Sequence, residues 1–214
     1  QRTDRWWNFI AVFCLLAALV TTSYRLETTH WTKELYILKW QTVIAFVLGL
    51  GFGYSYFSAF KSGVLIFWYS VILLPWTYAI TYKAGTPWLE RLIDLGSRFW
   101  NMGTFYLNNR SLSDSILFVV FLGILTWTTA MWAGFSLTRS GKPWYPLIVS
   151  AATIIISEFF YNTSRNLFTF AFVFFALLVL ASTNFSAAVR KWHSRGTLVE
   201  YETGFKVGRS AFLA

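Results

Sequence analysis

The chain is poor in the residues from which catalytic and metal centres are built. Its 214 residues include one cysteine, two histidines and nine acids. A lone Cys14 can close no intramolecular disulfide and form no thiolate cage. Its neighbours Val12, Phe13, Leu15 and Leu16 make it a small hydrophobe within an apolar run, with no base nearby to generate a nucleophilic thiolate. His30 and His193 both fall outside the apolar runs. A tetrapyrrole is commonly held by an axial histidine inside the bilayer, so no cofactor ligated by His or Cys, and no metal site, is expected. Serine elbows, phosphate loops and paired carboxylates within an apolar run are also missing, and no enzymatic centre is expected in this chain.

Charge is equally scarce. Only 13% of the residues are charged, against 56% hydrophobic and 21% aromatic, whereas an ordinary soluble domain carries about 25% charged residues. A soluble fold has no interior large enough to hide this much apolar surface, and a lipid bilayer does. The excess of nine positive charges does not mark a nucleic-acid binder, in which Lys and Arg cluster on one solvated face. Here the basic residues stand between apolar runs, where they act as topology signals.

Crossing a hydrocarbon core about 30 Å thick takes roughly 20 apolar residues in a helix. Six stretches meet or approach that length, at 7–23, 38–58, 63–82, 115–136, 144–161 and 165–183. They predict an all-α, polytopic bundle of about six transmembrane helices within residues 1–184, followed by a basic segment over 185–214 that leads to a truncated seventh span. Trp7, Trp40, Tyr82, Trp88, Trp144 and Tyr161 fall near span ends, as in the aromatic belts at membrane interfaces. Pro75 stands inside the third stretch and predicts a kink, because proline removes an i−4 hydrogen bond. With the N-terminus in the cytoplasm, the inner segments hold ten basic residues and the outer ones eight. The short Arg139–Lys142 turn and the Arg190–Arg195 cluster weigh most, because short flanking loops decide topology.

The connection from Lys83 to Asp114 is the one long loop. Trp88, Leu92, Leu95 and Phe99 recur in it at helical spacing, with Glu90, Arg91, Asp94 and Arg98 on the other face. This predicts a short interfacial helix over 87–100 with an Asp94–Arg98 i,i+4 pair; an ordered loop packed on the bundle is the alternative. Ser111 to Asp114 supplies an N-cap pattern for the fourth span.

Two features inside the spans stand out. Ala45, Gly49 and Gly53 lie four apart, the small-xxx-small spacing that lets a second helix backbone approach closely. Packing within the bundle is the simpler use of this stripe, and contact with another chain the alternative. Glu158 is the one acid near the end of an apolar run. An ionisable residue at membrane depth is a functional candidate, but Asn162, Ser164 and Arg165 lie within the next seven residues and favour pairing at the interface. Transport would ask for broken helices or midplane charges, often in repeated halves; Pro75 and the Gly49–Gly53 stretch are the interruptions present.

The second half carries a further pattern. Asn109 to Asp114 opens a span that contains Trp127 and Trp132; the Arg139…Lys142-Pro143-Trp144 turn follows, then an apolar hairpin, and Arg190-Lys191-Trp192-His193-Ser194-Arg195-Gly196…Tyr201-Glu202 closes it. Over roughly residues 100–210 this order resembles the N-terminal membrane region of bacterial transglutaminase-like membrane proteins. In that family a helical bundle precedes an extracytoplasmic domain with a papain-like Cys-His-Asp triad. The resemblance implies a multi-pass protein of the bacterial inner membrane with a cytoplasmic N-terminus. Gly208 to Ala214 would then begin the next span, and this chain would be the non-catalytic membrane part, an anchor or docking module. Two other readings stay open: an accessory subunit of a larger membrane complex, photosynthetic or otherwise energy-transducing, and a small-solute transporter. The expected partners are the lipid bilayer and other membrane subunits, and contact with lipid or carotenoid needs only the apolar and aromatic surface that is abundant here.

Overall fold

The computed structural model of the protein describes residues 8–79, 87–107, 115–161 and 167–194. They form seven α-helices: α1 (Phe9–Glu27), α2 (Ile37–Tyr54), α3 (Ala59–Ala79), α4 (Trp88–Leu107), α5 (Ser115–Ser140), α6 (Trp144–Phe160) and α7 (Leu167–Ser194), with a 3₁₀ turn at Lys33–Tyr36 leading into α2. The protein is an all-α helical bundle, and no strand occurs among the described residues. α1, α3, α5, α7, and α2 with its preceding turn, are each long and apolar enough to cross a membrane. α6 is apolar but has 17 residues, about 25 Å at 1.5 Å per residue, a little under the hydrocarbon thickness.

The predicted spans fall on helices with different ends: most of the helices run further than the apolar runs, whereas α2 stops at Tyr54, short of the expected 58. α1 continues four residues beyond Ser23, and α7 continues to Ser194 through part of the segment expected to be a basic tail. Hydropathy falls where Arg25 and Glu27 enter, yet the backbone has no reason to stop there, since neither residue breaks a helix. The predicted interfacial helix is α4, helical to Leu107 rather than to 100, and the loop alternative is not what forms. Its Asp94–Arg98 pair is present, with Arg98 Nε donating to Asp94 Oδ2 at 2.8 Å. Pro75 sits inside α3, which stays helical on both sides of it. The predicted N-cap at 111–114, Trp7, Tyr82 and the beginning of a seventh span lie outside the described residues.

The closest helix pairing is α2 against α5, and small residues on both helices make it. Ala45 is fully buried. A Cβ on Gly49 would strike the carbonyl of Met131, and one on Gly53 would strike Phe135 and Thr138. Gly134 answers from α5: a Cβ there would strike the carbonyl of Phe46 and approach the amide of Leu50 to 2.7 Å. Ala130, Gly134 and Thr138 thus repeat on α5 the spacing of Ala45, Gly49 and Gly53 on α2. In a lipid solvent, such close packing supplies the association energy that water would otherwise drive. The stripe is used within the chain.

α1 packs between this pair and α7, with α6 against its flank. Ala11, Leu15 and Ala18 on α1 share one buried cluster with Phe46 of α2, Trp127 of α5, Ile154 of α6 and Val179 of α7. Asn8 caps α1 by accepting from the amides of Ile10 and Ala11, and its Nδ2 donates to Ser186 Oγ of α7 at 3.1 Å. α3 and α4 stand apart: α3 touches α2 along one side, and almost none of its span is buried.

This path separates the charges. One end of the bundle gathers the start of α1, the α2–α3 and α5–α6 connections and the last turns of α7. Its described residues include Lys61, Arg139, Lys142, Arg190 and Lys191 and no acid. The opposite end holds Arg25, Lys33, Lys39, Arg91 and Arg98 together with Glu27, Glu34, Glu90, Asp94 and Glu158. Among the described residues the first end is basic without compensation, and the second is balanced.

Candidate functional site

Among the described residues three polar sites interrupt the apolar interior, and each joins one helix to another. At the balanced end, Arg25 of α1 is 1% exposed. Its Nε and Nη2 donate to Oε1 and Oε2 of Glu158, both at 2.9 Å. Nη2 also donates to the Tyr161 carbonyl at 2.8 Å, and Nη1 to the Thr28 hydroxyl at 3.2 Å. Thr169 of α7 donates to Glu158 Oε1 at 3.0 Å. A two-pronged guanidinium–carboxylate pair of this kind is among the strongest polar contacts available, because it fixes both groups in one plane. It ties α1, α6 and α7 together.

Sequence reasoning singled out Glu158 and missed its partner. Asn162, Ser164 and Arg165, the neighbours expected to engage it, lie outside the described residues, and the group that does engage it comes from the far end of the first span. A signal was available. In an alternating bundle the first and fifth spans run in the same direction, so Arg25 and Glu158 emerge at the same end.

The second site lies where α2, α3 and α5 meet. Gln41, fully buried, donates from Nε2 to Thr77 Oγ1 at 2.7 Å. The Tyr78 hydroxyl reaches the Val119 carbonyl at 3.1 Å and Gln41 Oε1 at 3.4 Å. Gly123 leaves the room for this, since a Cβ there would occupy the place of the Tyr78 hydroxyl. The third site is a hydroxyl pair, Ser23 on α1 and Thr42 on α2, at 2.6 Å. Most other Ser and Thr hydroxyls in the spans donate back to carbonyls three or four residues earlier, as Thr22 does to Ala18 and Thr138 to Gly134. That arrangement satisfies a hydroxyl where no water is available.

These polar groups hold helices to one another. Both oxygens of Glu158 accept hydrogen bonds, from Arg25 and Thr169. Cys14 is buried in the apolar cluster around α1. His30 occupies the turn after α1 with a left-handed backbone, φ 51°, a conformation that His tolerates better than most residues; the side chain of His193 lies outside the described residues. Among the described residues no three His, Cys, Asp or Glu side chains gather as a metal site.

A furrow runs beside α3. A cavity of about 580 Å³ is lined by Phe67, Leu74 and Pro75 of α3, Leu92 and Leu95 of α4, and Ile124 of α5. A second cavity of about 240 Å³ adjoins it toward the basic end, between Ile66, Met131 and Phe135. Ser70, Trp127 and Thr128 line both. Trp127 Nε1 donates to Ser70 Oγ at 2.8 Å and bridges α5 to α3.

The chain matches no protein-family model, no curated protein and no solved structure.

Proposed function

We propose that this chain is a non-catalytic membrane docking module: the membrane region of a bacterial transglutaminase-like protein, anchoring it in the inner membrane and presenting α3 to other membrane subunits. The observation that carries the docking role is α3 itself. Trp68, Ile72 and Trp76 form an i, i+4, i+8 row on its outer side, each about half exposed or more. Large aromatic anchors of this kind are the residues that concentrate at protein interfaces. The buried polar groups support the same reading, because Arg25, Glu158 and Gln41 are spent on holding helices together. The family assignment rests on the order of residues from Asn109 to Glu202.

The segregation of charge supports a cytoplasmic basic end, and hence a cytoplasmic N-terminus, since basic residues are retained on that side. Intact mass measurement of the protein from its native membrane tests the family assignment. A chain well above 24.7 kDa that carries a Cys-His-Asp domain supports it. A mass of 24.7 kDa with stoichiometric membrane subunits supports the accessory-subunit reading instead, which the exposed row on α3 serves equally well. The transporter reading is the weakest of the three, because Glu158, its candidate carrier, is clamped by Arg25 and Thr169.

A further inference from the structure

We propose that the furrow between α3 and α5 binds one acyl chain of an anionic phospholipid, with its phosphate held at the basic end by Arg139 and with Lys61 and Lys142 beside it.

The lining selects for hydrocarbon. Its hydroxyls are already satisfied: Ser70 donates to the Ile66 carbonyl and accepts from Trp127, and Thr128 donates to Ile124. A guest therefore meets no polar group that needs a partner, and an apolar cavity of this kind takes apolar guests rather than water. Along α5 the lining runs from Val120 to Phe135, about 22 Å at 1.5 Å per residue. Half of a hydrocarbon core is about 15 Å, so a chain from one leaflet fits lengthwise.

Charge decides which end receives the head group. Arg139 follows Phe135 by one turn on the same face of α5, and its guanidinium lies 5.4 Å from the centre of the Phe135 ring. Its Nη1 donates to the Phe57 carbonyl at 3.3 Å, which brings it beside the first turn of α3, where Lys61 is. Lys61 and Lys142 are exposed, and neither makes an ion pair among the described residues. Among the described residues of this end no acid faces the positive charge at the mouth of the furrow. Basic pockets between transmembrane helices hold anionic lipid head groups by this means. At the other end α4 closes the furrow with Leu92 and Leu95, and acids there match the bases.

The test uses the purified full chain in mild detergent, exchanged against equal amounts of phosphatidylglycerol and phosphatidylcholine with identical chains, and native mass spectrometry counts the bound lipids. Each surface cation contributes about a fivefold preference. The wild type should retain phosphatidylglycerol at least roughly tenfold over phosphatidylcholine, and Lys142→Gln and Arg139→Gln should each lower that ratio about fivefold. Thr128→Phe, which fills the stretch common to both cavities, should reduce retention of both lipids. Lys142 is exposed and makes no ion pair among the described residues, so its variant reports even if Arg139→Gln disturbs folding. Equal retention of the two lipids by the wild type would overturn the proposal. So would a preference indifferent to Lys142→Gln, retention of both lipids indifferent to Thr128→Phe, or an uncharged pigment or a polypeptide that holds the furrow against lipid.

Discussion

Breaking the Arg25–Glu158 pair should destabilise the bundle unequally, depending on which partner is removed. Glu158→Gln leaves a permanently charged guanidinium at a site 1% exposed, with only neutral oxygens to receive it: the new amide carbonyl, the Tyr161 carbonyl and the Thr28 hydroxyl. Removing one member of a buried pair costs about 3–5 kcal/mol. Arg25→Gln leaves instead a carboxylate whose side chain is 23% exposed and still bonded to Thr169. That loss belongs nearer to the about 1–3 kcal/mol of an unsatisfied buried polar group. Replacing both residues by Met removes the stranded charge in either direction, and such replacements come out about neutral. The assay is reversible unfolding of each variant by SDS titration in mixed micelles, followed by far-ultraviolet circular dichroism. The expected order of stability is wild type close to the double variant, then Arg25→Gln, then Glu158→Gln, with a coupling of about 2 kcal/mol or more once Arg25→Met and Glu158→Met complete the cycle. Single variants that each lose less than about 0.5 kcal/mol, the level of an exposed pair, and that add in the double variant would refute the reasoning.

Other substitutions probe the rest of the bundle. Gly134→Val places a methyl-bearing side chain against the Phe46 carbonyl, where no rotamer relieves the clash, and should cost about 3 kcal/mol or prevent folding. Gly51→Ala meets open space within α2 and should stabilise by up to about 1 kcal/mol, by the same titration. Tyr78→Phe deletes the hydroxyl that reaches Val119 and Gln41 and should cost about 1 kcal/mol. For orientation, a cysteine replacing Ser140 at the basic end should resist an impermeant thiol reagent added to intact cells and react once the membrane is opened; labelling in intact cells contradicts a cytoplasmic N-terminus.

The helices were legible because crossing a bilayer demands long apolar runs, a signal written in composition. Their ends were less so. Arg25 and Glu27 depress hydropathy without stopping α1, and what lets Arg25 stay buried is a carboxylate 133 residues away, invisible to any local window. The Ala45, Gly49 and Gly53 stripe could be read as a packing surface, but not its partner, since Ala130, Gly134 and Thr138 carry a weaker version of the same spacing. Gln41 escaped notice because a single amide in an apolar run looks like noise until Thr77 and Tyr78 arrive from the next helix. The furrow had no sequence signal, because it is a gap left where α3 stands off from α5 and α4 closes one end.

The docking role is tested most directly by a photoreactive amino acid placed at Ile72, on the outer row of α3, and at the buried Ala45, in native membranes. The docking account predicts one adduct of defined mass between Ile72 and a second membrane polypeptide, lost when Trp68 is replaced by Ala, and no such adduct from Ala45. Lipid adducts alone from Ile72 and from Trp76 would contradict it.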